Sequence, residues 1–139
     1  MSVLVDTCVW SLALRRKPHD LNERERSFVA EWTELVRDDR ARIIGVVRQE
    51  LLTGIKLQPQ FEKLREIMTG FPDEPVDTLD HVAAAKASND CVARGIAVTT
   101  VDVLICAVAV RRGMSIFTTD PDFQKYARVL PLKLHSVSS

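Results

Sequence analysis

From Val103 to Val110 the chain reads VLICAVAV, with no polar side chain between Asp102 and Arg111. A helix that is apolar on every side cannot rest on a surface, so this segment is expected to be buried, and the rest of the 139 residues must cover it. Asp102 at its head is then the anomaly. An unpaired buried charge is costly, so this carboxylate needs a partner, a special position or a chemical task.

The segments around this helix alternate between two periods. SVLVD (residues 2–6) is a short β-branched run ending in an acid, and TCVWSLALRR continues it as a helix. In LNERERSFVAEWTELVRDD, Phe28, Val29, Trp32, Leu35 and Val36 recur at spacings of three and four, and Asn22 with Glu25 forms a possible capping box. RARIIGV predicts a second strand, VRQELLTGI a helix, and FEKLREIMTG a further helix with Phe61, Leu64, Ile67 and Met68 on one side. A brief strand is expected at Val76, then an Ala-rich helix from His81 stopped by Gly95, then the buried helix. MSIFTTD predicts another strand, and RVLPLKL a weak edge strand demoted by Pro131. The fold class expected is α/β: a single domain over residues 1–139, with a mainly parallel central sheet of four to five strands flanked by helices.

Composition narrows the function. Nineteen basic residues balance nineteen acidic ones, so no broad basic field draws the chain to nucleic acid, and any contact with RNA or DNA has to be local. Cys8, Cys91 and Cys106 lie in apolar stretches without CxxC spacing, which suits buried reduced thiols. The opening MSVLVDTCVW has no basic leader pattern and no window is apolar enough for a membrane span. A soluble, cytoplasmic protein is expected. Trp10 and Trp32 fit core packing better than base stacking, and no pair among His19, His81 and His135 has metal-ligand spacing.

The acids fall in a pattern. Asp6 and Asp120 each end an apolar strand, with Asp122 two residues later, while Glu50 lies one turn into the helix after the second strand and Asp102 opens the buried helix. In parallel sheets the ligand crevice lies beyond the carboxyl ends of the strands. Singly, each acid has an ordinary reading: a strand-to-helix cap for Asp6 and Asp120, a solvated position for Glu50, a dipole partner or a box with Thr99 for Asp102. Together they would crowd like charges on one edge, which is unfavourable unless something positive sits between them. An all-oxygen set without His or Cys suits Mg²⁺, with Mn²⁺ as a substitute, and such a site suits phosphodiester hydrolysis. Asp6, Glu50 and Asp102 are the expected metal ligands, with Asp120 completing the set and Asp122 supporting it.

The same residues resemble the PIN-domain family, and within it the VapC-type toxin ribonucleases of toxin–antitoxin modules. LVDTCVW is similar to the family's opening motif at Asp6 and Thr7, and VVRQELLTG to its second at Glu50, Leu51 and Gly54. TTVDVLICAVAVRRG resembles the third at Asp102, and IFTTDPDF the fourth at Thr118, Asp120, Asp122 and Phe123. The resemblance implies a Mg²⁺-dependent endoribonuclease acting on RNA such as tRNA or rRNA, a homodimer, and a cognate VapB-like antitoxin that inserts peptide into the acidic site. Two departures stand out: Cys106 where the family often has Ala, and acids at both 120 and 122. Thr7 and Thr118 are expected to support the site. Arg48 is expected to contact RNA, neutralise the acids or meet the antitoxin, and Arg15, Arg16 and Lys17 offer phosphate contacts.

Two other classes compete. A phosphoaspartyl phosphatase-type enzyme could use Asp6 as nucleophile, but the second acid it usually carries two residues on is here Cys8. A catalytically inactive PIN-like interaction module would use the acids only as caps and show no metal affinity above that of surface carboxylates.

Overall fold

The structure, a computed structural model, describes residues 1–138. Strand β1 (Val3–Val5) leads into α1 (Thr7–Leu14) and a single 3₁₀ turn at Pro18–Asp20, followed by α2 (Glu23–Arg37). Then come β2 (Ala41–Arg42), α3 (Gly45–Leu52), α4 (Gln58–Met68), α5 (Thr78–Ala93), α6 (Thr100–Arg112), β3 (Ser115–Phe117) and α7 (Asp122–Tyr126). The sheet has the order β2-β1-β3 and is parallel throughout, with Leu4 paired to both Arg42 and Ile116. Alternating strands and helices produced the parallel α/β arrangement that the periodicity predicts.

The strand count differs from expectation. Among the described residues the sheet has three strands, not four to five. The two missing strands survive as single parallel bridges, Ile43 to Asp73 and Ile116 to Leu134. Val76 itself pairs with no strand. Pro72 and Pro75 flank the first bridge and Pro131 precedes the second, and a residue without an N–H cannot carry a ladder forward.

The apolar segment behaves as its composition demands. Val103 through Ala109 are all buried at the centre of α6, and the helix ends at Gly113, whose φ of 65° is open to glycine at little cost. Val3, Leu4 and Val5 are fully buried beside it. Trp10 is buried too, donating its Nε1–H to the Val5 carbonyl at 3.0 Å and meeting Trp32 edge to face with ring centres 5.5 Å apart. Cys91 and Cys106 are buried free thiols.

Asn22 and Glu25 form the capping box that opens α2. A second box, Asp77 with Asp80, starts α5 at Thr78, ahead of the His81 start that its alanines suggest. Met68 is fully buried and Phe61 half-buried, so these two side chains do not form the open apolar patch that their spacing could offer a partner. Among the described residues no helix is long and apolar enough to cross a membrane.

Candidate active site

Asp6 stands where β1 passes into α1, and the fold makes it a cap and a buried acid at once. One carboxylate oxygen accepts the Thr7 N–H at 2.8 Å; the other accepts the Thr118 hydroxyl, also at 2.8 Å. The residue is only 7% exposed. Burial pushes its carboxyl above the ordinary Asp value, and the charge of Asp102 adds to the shift against the hydrogen bonds from Thr118 and Thr7.

Two hydroxyls tie distant acids to this point. Thr7, at the first position of α1, donates to Glu50 of α3 at 2.6 Å. Thr118 accepts the Asp120 N–H at 3.0 Å, and Asp120 in turn accepts the Asp122 N–H at 2.9 Å. Thr7 and Thr118 thus hold the end of β1, α3 and the segment after β3 in one hydrogen-bond network.

Asp102 answers for its place at the head of the buried helix in an unexpected way. Its N–H donates to the Thr99 hydroxyl at 3.0 Å, but its carboxylate does not return the bond that would close a box. It accepts instead the Tyr126 hydroxyl at 2.8 Å. Burial first, then the charges of Asp120 and Glu50, push the Asp102 carboxyl up, while the bonds from Tyr126 and Thr99 partly restrain the shift. Tyr126 is almost fully buried, and its own ionisation is pushed far up by burial and by Asp102, so it acts as a fixed neutral donor. Reading the sequence missed it. The signal was there, since a buried tyrosine needs a partner for its hydroxyl and this is the chain's one Tyr.

Asp6, Glu50, Asp102 and Asp120 are therefore brought to one sheet edge by four separate elements, each within electrostatic reach of another. No lysine or arginine is among the groups that act most strongly on Asp6 or Asp102. Asp122 is placed differently: it sits in the first turn of α7, half exposed, with its carboxylate 3.4 Å from the Lys125 ammonium. Of the two acids in the fourth motif, it is Asp120 whose charge is among the main causes of the Asp102 shift.

Arg48 does not face these acids. Its guanidinium pairs with Asp73 at 2.9 Å and donates to the Met68 and Phe71 carbonyls, stapling α3 to the turn after α4. Three of its donors are thus taken by two carbonyls and a carboxylate, which gives it a structural role and turns it to Asp73 rather than to the four acids. Cys8 is the other neighbour that sequence reading left out of the site. Its thiol lies 3.5 Å from Asp6 and accepts the Thr119 N–H at 3.3 Å, and burial together with the Asp6 charge keeps it protonated.

The donor set can be tested for the metal it would take. It is carboxylate and hydroxyl oxygen without histidine, a set for a hard divalent cation. Among the described residues no three His, Cys, Asp or Glu side chains form a ready-made cage. Mg²⁺ keeps several waters and needs only one or two carboxylates from the protein, so such an ion would be held here by a pair of these acids rather than by a full cage. Burial leads both upward shifts and neighbouring carboxylates add to them; a cation placed among such acids would favour their ionised forms.

By sequence, no curated protein matches the chain. Solved structures do match it in fold: FitAcB from Neisseria gonorrhoeae, 21% identical with a TM-score of 0.75 over 96% of each chain. VapBC2 from Rickettsia felis bound to a DNA fragment from their promoter is 16% identical, with a TM-score of 0.76 over 97% of this chain and 98% of that one. VapBC-1 from nontypeable Haemophilus influenzae is 14% identical, with a TM-score of 0.73 over the whole of both chains. The PIN domain model matches residues 3–129, a span that runs from the strand before Asp6 past Tyr126. This chain belongs to the PIN domain family.

Proposed function

We propose that the chain is a Mg²⁺-dependent endoribonuclease, the toxin of a cytoplasmic toxin–antitoxin module. The observation that carries the reading is the gathering of Asp6, Glu50, Asp102 and Asp120 at one edge, with Asp6 raised by burial and the charge of Asp102, and Asp102 by burial and the charges of Asp120 and Glu50. An ion bound there would acidify water and stabilise the charge that develops on the leaving oxygen. Asp6, Glu50, Asp102 and Asp120 would hold it directly or through water. Thr7 and Thr118 fix two of these carboxylates by hydrogen bond, and Tyr126 fixes a third, so the chain holds the acids in place before substrate arrives. The structural neighbours include VapBC and FitAB complexes, which supports a VapB-like antitoxin as partner; RNA such as tRNA or rRNA as substrate is our reading of the acidic site.

The test is cleavage of pooled tRNA and rRNA by purified protein, with and without EDTA, and with Mg²⁺ or Mn²⁺ restored. Cutting that stops in EDTA and returns with either metal is expected. Cutting that survives EDTA would overturn the metal mechanism, and an antitoxin-free chain that neither cuts RNA nor gains stability from Mg²⁺ would favour the inactive module.

Tyr126→Phe offers a finer measure of the site. Removing a hydroxyl that orients a metal-holding carboxylate is expected to weaken Mg²⁺ affinity or activity by about tenfold, the low end for such outer contacts, because Asp102 is half exposed and can turn to water. A Mg²⁺ titration of activity identical to that of the unaltered protein would remove Tyr126 from the site.

The homodimer has its own support. Val110 of α6 is 40% exposed and lines a largely apolar cavity of about 290 Å³ with Ala83, Ala87, Ala107, Leu130 and Pro131, beside the charged Lys86, Asp90 and Arg111. Apolar surface of this kind is depleted on monomers and common at interfaces between copies. Val110→Asp is expected to turn a dimer into a monomer in light scattering coupled to gel filtration. A monomer before the change, or a dimer after it, would place the contact elsewhere or nowhere.

A further inference from the structure

A groove leaves the acidic edge in a direction that the four carboxylates do not account for. One part, about 390 Å³, is lined by Thr118, Thr119, Asp120, Gln124 and His135 together with Arg24 and Phe28 of α2. A second part, about 400 Å³, continues past Cys8, Ser11, Arg16 and Asn22 and shares Arg24, Phe28 and Thr119 with the first. We infer that this groove seats the RNA segment beside the cleaved bond, and that Arg24 is a positioning residue holding a backbone phosphate there; the inference rests on the nuclease reading above.

Charge makes such a residue necessary. The chain is neutral overall and the site is acidic, so a polyanion approaching Asp120 meets repulsion that a resident metal only partly offsets. The basic side chains expected to help are mostly engaged. Arg48 is bound to Asp73, Arg15 donates to the Leu51 carbonyl, and Arg16 pairs with Glu25 at 3.6 Å.

Arg24 is different. It is exposed, and among the described residues it forms no ion pair. Its guanidinium carbon lies 5.4 Å from the centre of the Phe28 ring, and Phe28 is stacked on the buried Phe117 of β3 with ring centres 5.4 Å apart. The guanidinium is thus set over a ring anchored in the core, with its fork of donors free at the junction of the two parts. A planar cation held this way loses little freedom when it meets a phosphate.

The experiment measures binding rather than turnover. A short fluorescein-labelled single-stranded RNA of mixed sequence is titrated by anisotropy, in Mg²⁺ and over a range of salt, in an Asp102→Asn background that leaves it uncut. Arg24→Ala is expected to weaken binding on the order of tenfold and to flatten the salt dependence by about one counterion, as the loss of one phosphate contact does. Arg24→Lys keeps the charge without the fork and is expected to recover part of the affinity. Arg26→Ala, about 200° around the same helix, is expected to bind like the background. With Asp102 restored, Arg24→Ala is expected to raise KM far more than it lowers kcat.

Equal affinity and equal salt slope for Arg24→Ala and its background would overturn the inference and leave the nuclease reading standing. So would an Arg24 change that weakens only capture of an acidic peptide. A wild-type chain that neither binds nor cuts RNA in Mg²⁺ would take down both together.

Discussion

Asp102→Asn is expected to abolish Mg²⁺-dependent RNA cleavage while leaving the metal-free protein as stable as before, or more stable. Burial and the charges of Asp120 and Glu50 push this carboxyl up, so its ionised form is held at a cost at neutral pH. The amide removes that charge. Its oxygen can still accept the Tyr126 hydroxyl, and the Thr99 bond to the backbone N–H is untouched. Activity depends on what the amide lacks, a negative oxygen for the cation, and a loss of about a hundredfold or more is expected because even outer contacts to a metal cost 10–100-fold. A carboxylate serving only the helix dipole would behave in the opposite sense, costing about 0.3–1 kcal/mol on neutralisation and sparing activity. Thermal melts in EDTA and in excess Mg²⁺ separate the two, since binding to the folded state raises stability by mass action. Equal gains from Mg²⁺ in both proteins, with cleavage retained, would show that Asp102 heads its helix for structural reasons alone.

Asp80→Ala is expected to be the most damaging change outside the site. Asp80 is fully buried, yet it receives a two-pronged contact from Arg112, with bonds of 2.7 and 2.8 Å, and one of 2.6 Å from Arg111. It also accepts the Asp77 N–H at 2.9 Å, closing the box that starts α5. One carboxylate therefore locks the start of α5 to the end of α6. Removing it strands two guanidinium groups that retain some access to water, so a loss of about 3 kcal/mol is expected, the low end for a broken buried pair. In a chain of this size that corresponds to a fall in Tm of roughly 10 °C.

The pH dependence of this lock has a definite sign. Hydrogen bonds from Arg112 lead the causes that hold the Asp80 carboxyl well below the ordinary carboxylate range, so the folded state releases its proton more readily than the unfolded one. The stabilisation is fully present above the unfolded value, about 4, and is lost as pH falls from there toward the depressed folded value. Urea unfolding of wild type is expected to lose this contribution below about pH 4, and that of Asp80→Asn to lack it throughout. A cost below about 1 kcal/mol for Asp80→Ala at pH 7 would place the pair with ordinary surface salt bridges.

Glu31 is a second buried acid with a long-range task. Burial pushes its carboxyl up, but bonds from His135 at 2.7 Å and the Ser138 N–H at 3.0 Å outweigh it and hold the carboxyl low. The tail from Leu134 is thereby pinned across α2, forming one wall of the groove beside Asp120. His135 looks like a terminal residue in sequence because its partner lies 104 positions away.

Local chemistry in the sequence determined a good deal of this molecule. The apolar run after Asp102 dictated a buried helix because nothing along it could face water, and apolar runs ending in acids placed Asp6 directly after β1 and Asp120 three residues past β3. Asn22 with Glu25 announced a helix start because a capping box is complete within four residues. Contacts between distant residues were decided only by the tertiary structure. Whether the run before Val76 and the run around Pro131 became strands depended on prolines interrupting a ladder whose other side lies far away in the chain. Arg48 was drawn to Asp73 rather than to Glu50, two residues from it, because a helical side chain's neighbours are set by the face it occupies and the element packed there. Tyr126 reached Asp102 only once α7 was folded back over the head of α6, and that pairing, invisible to periodicity or spacing, is what gives the carboxylate of the opening anomaly its partner.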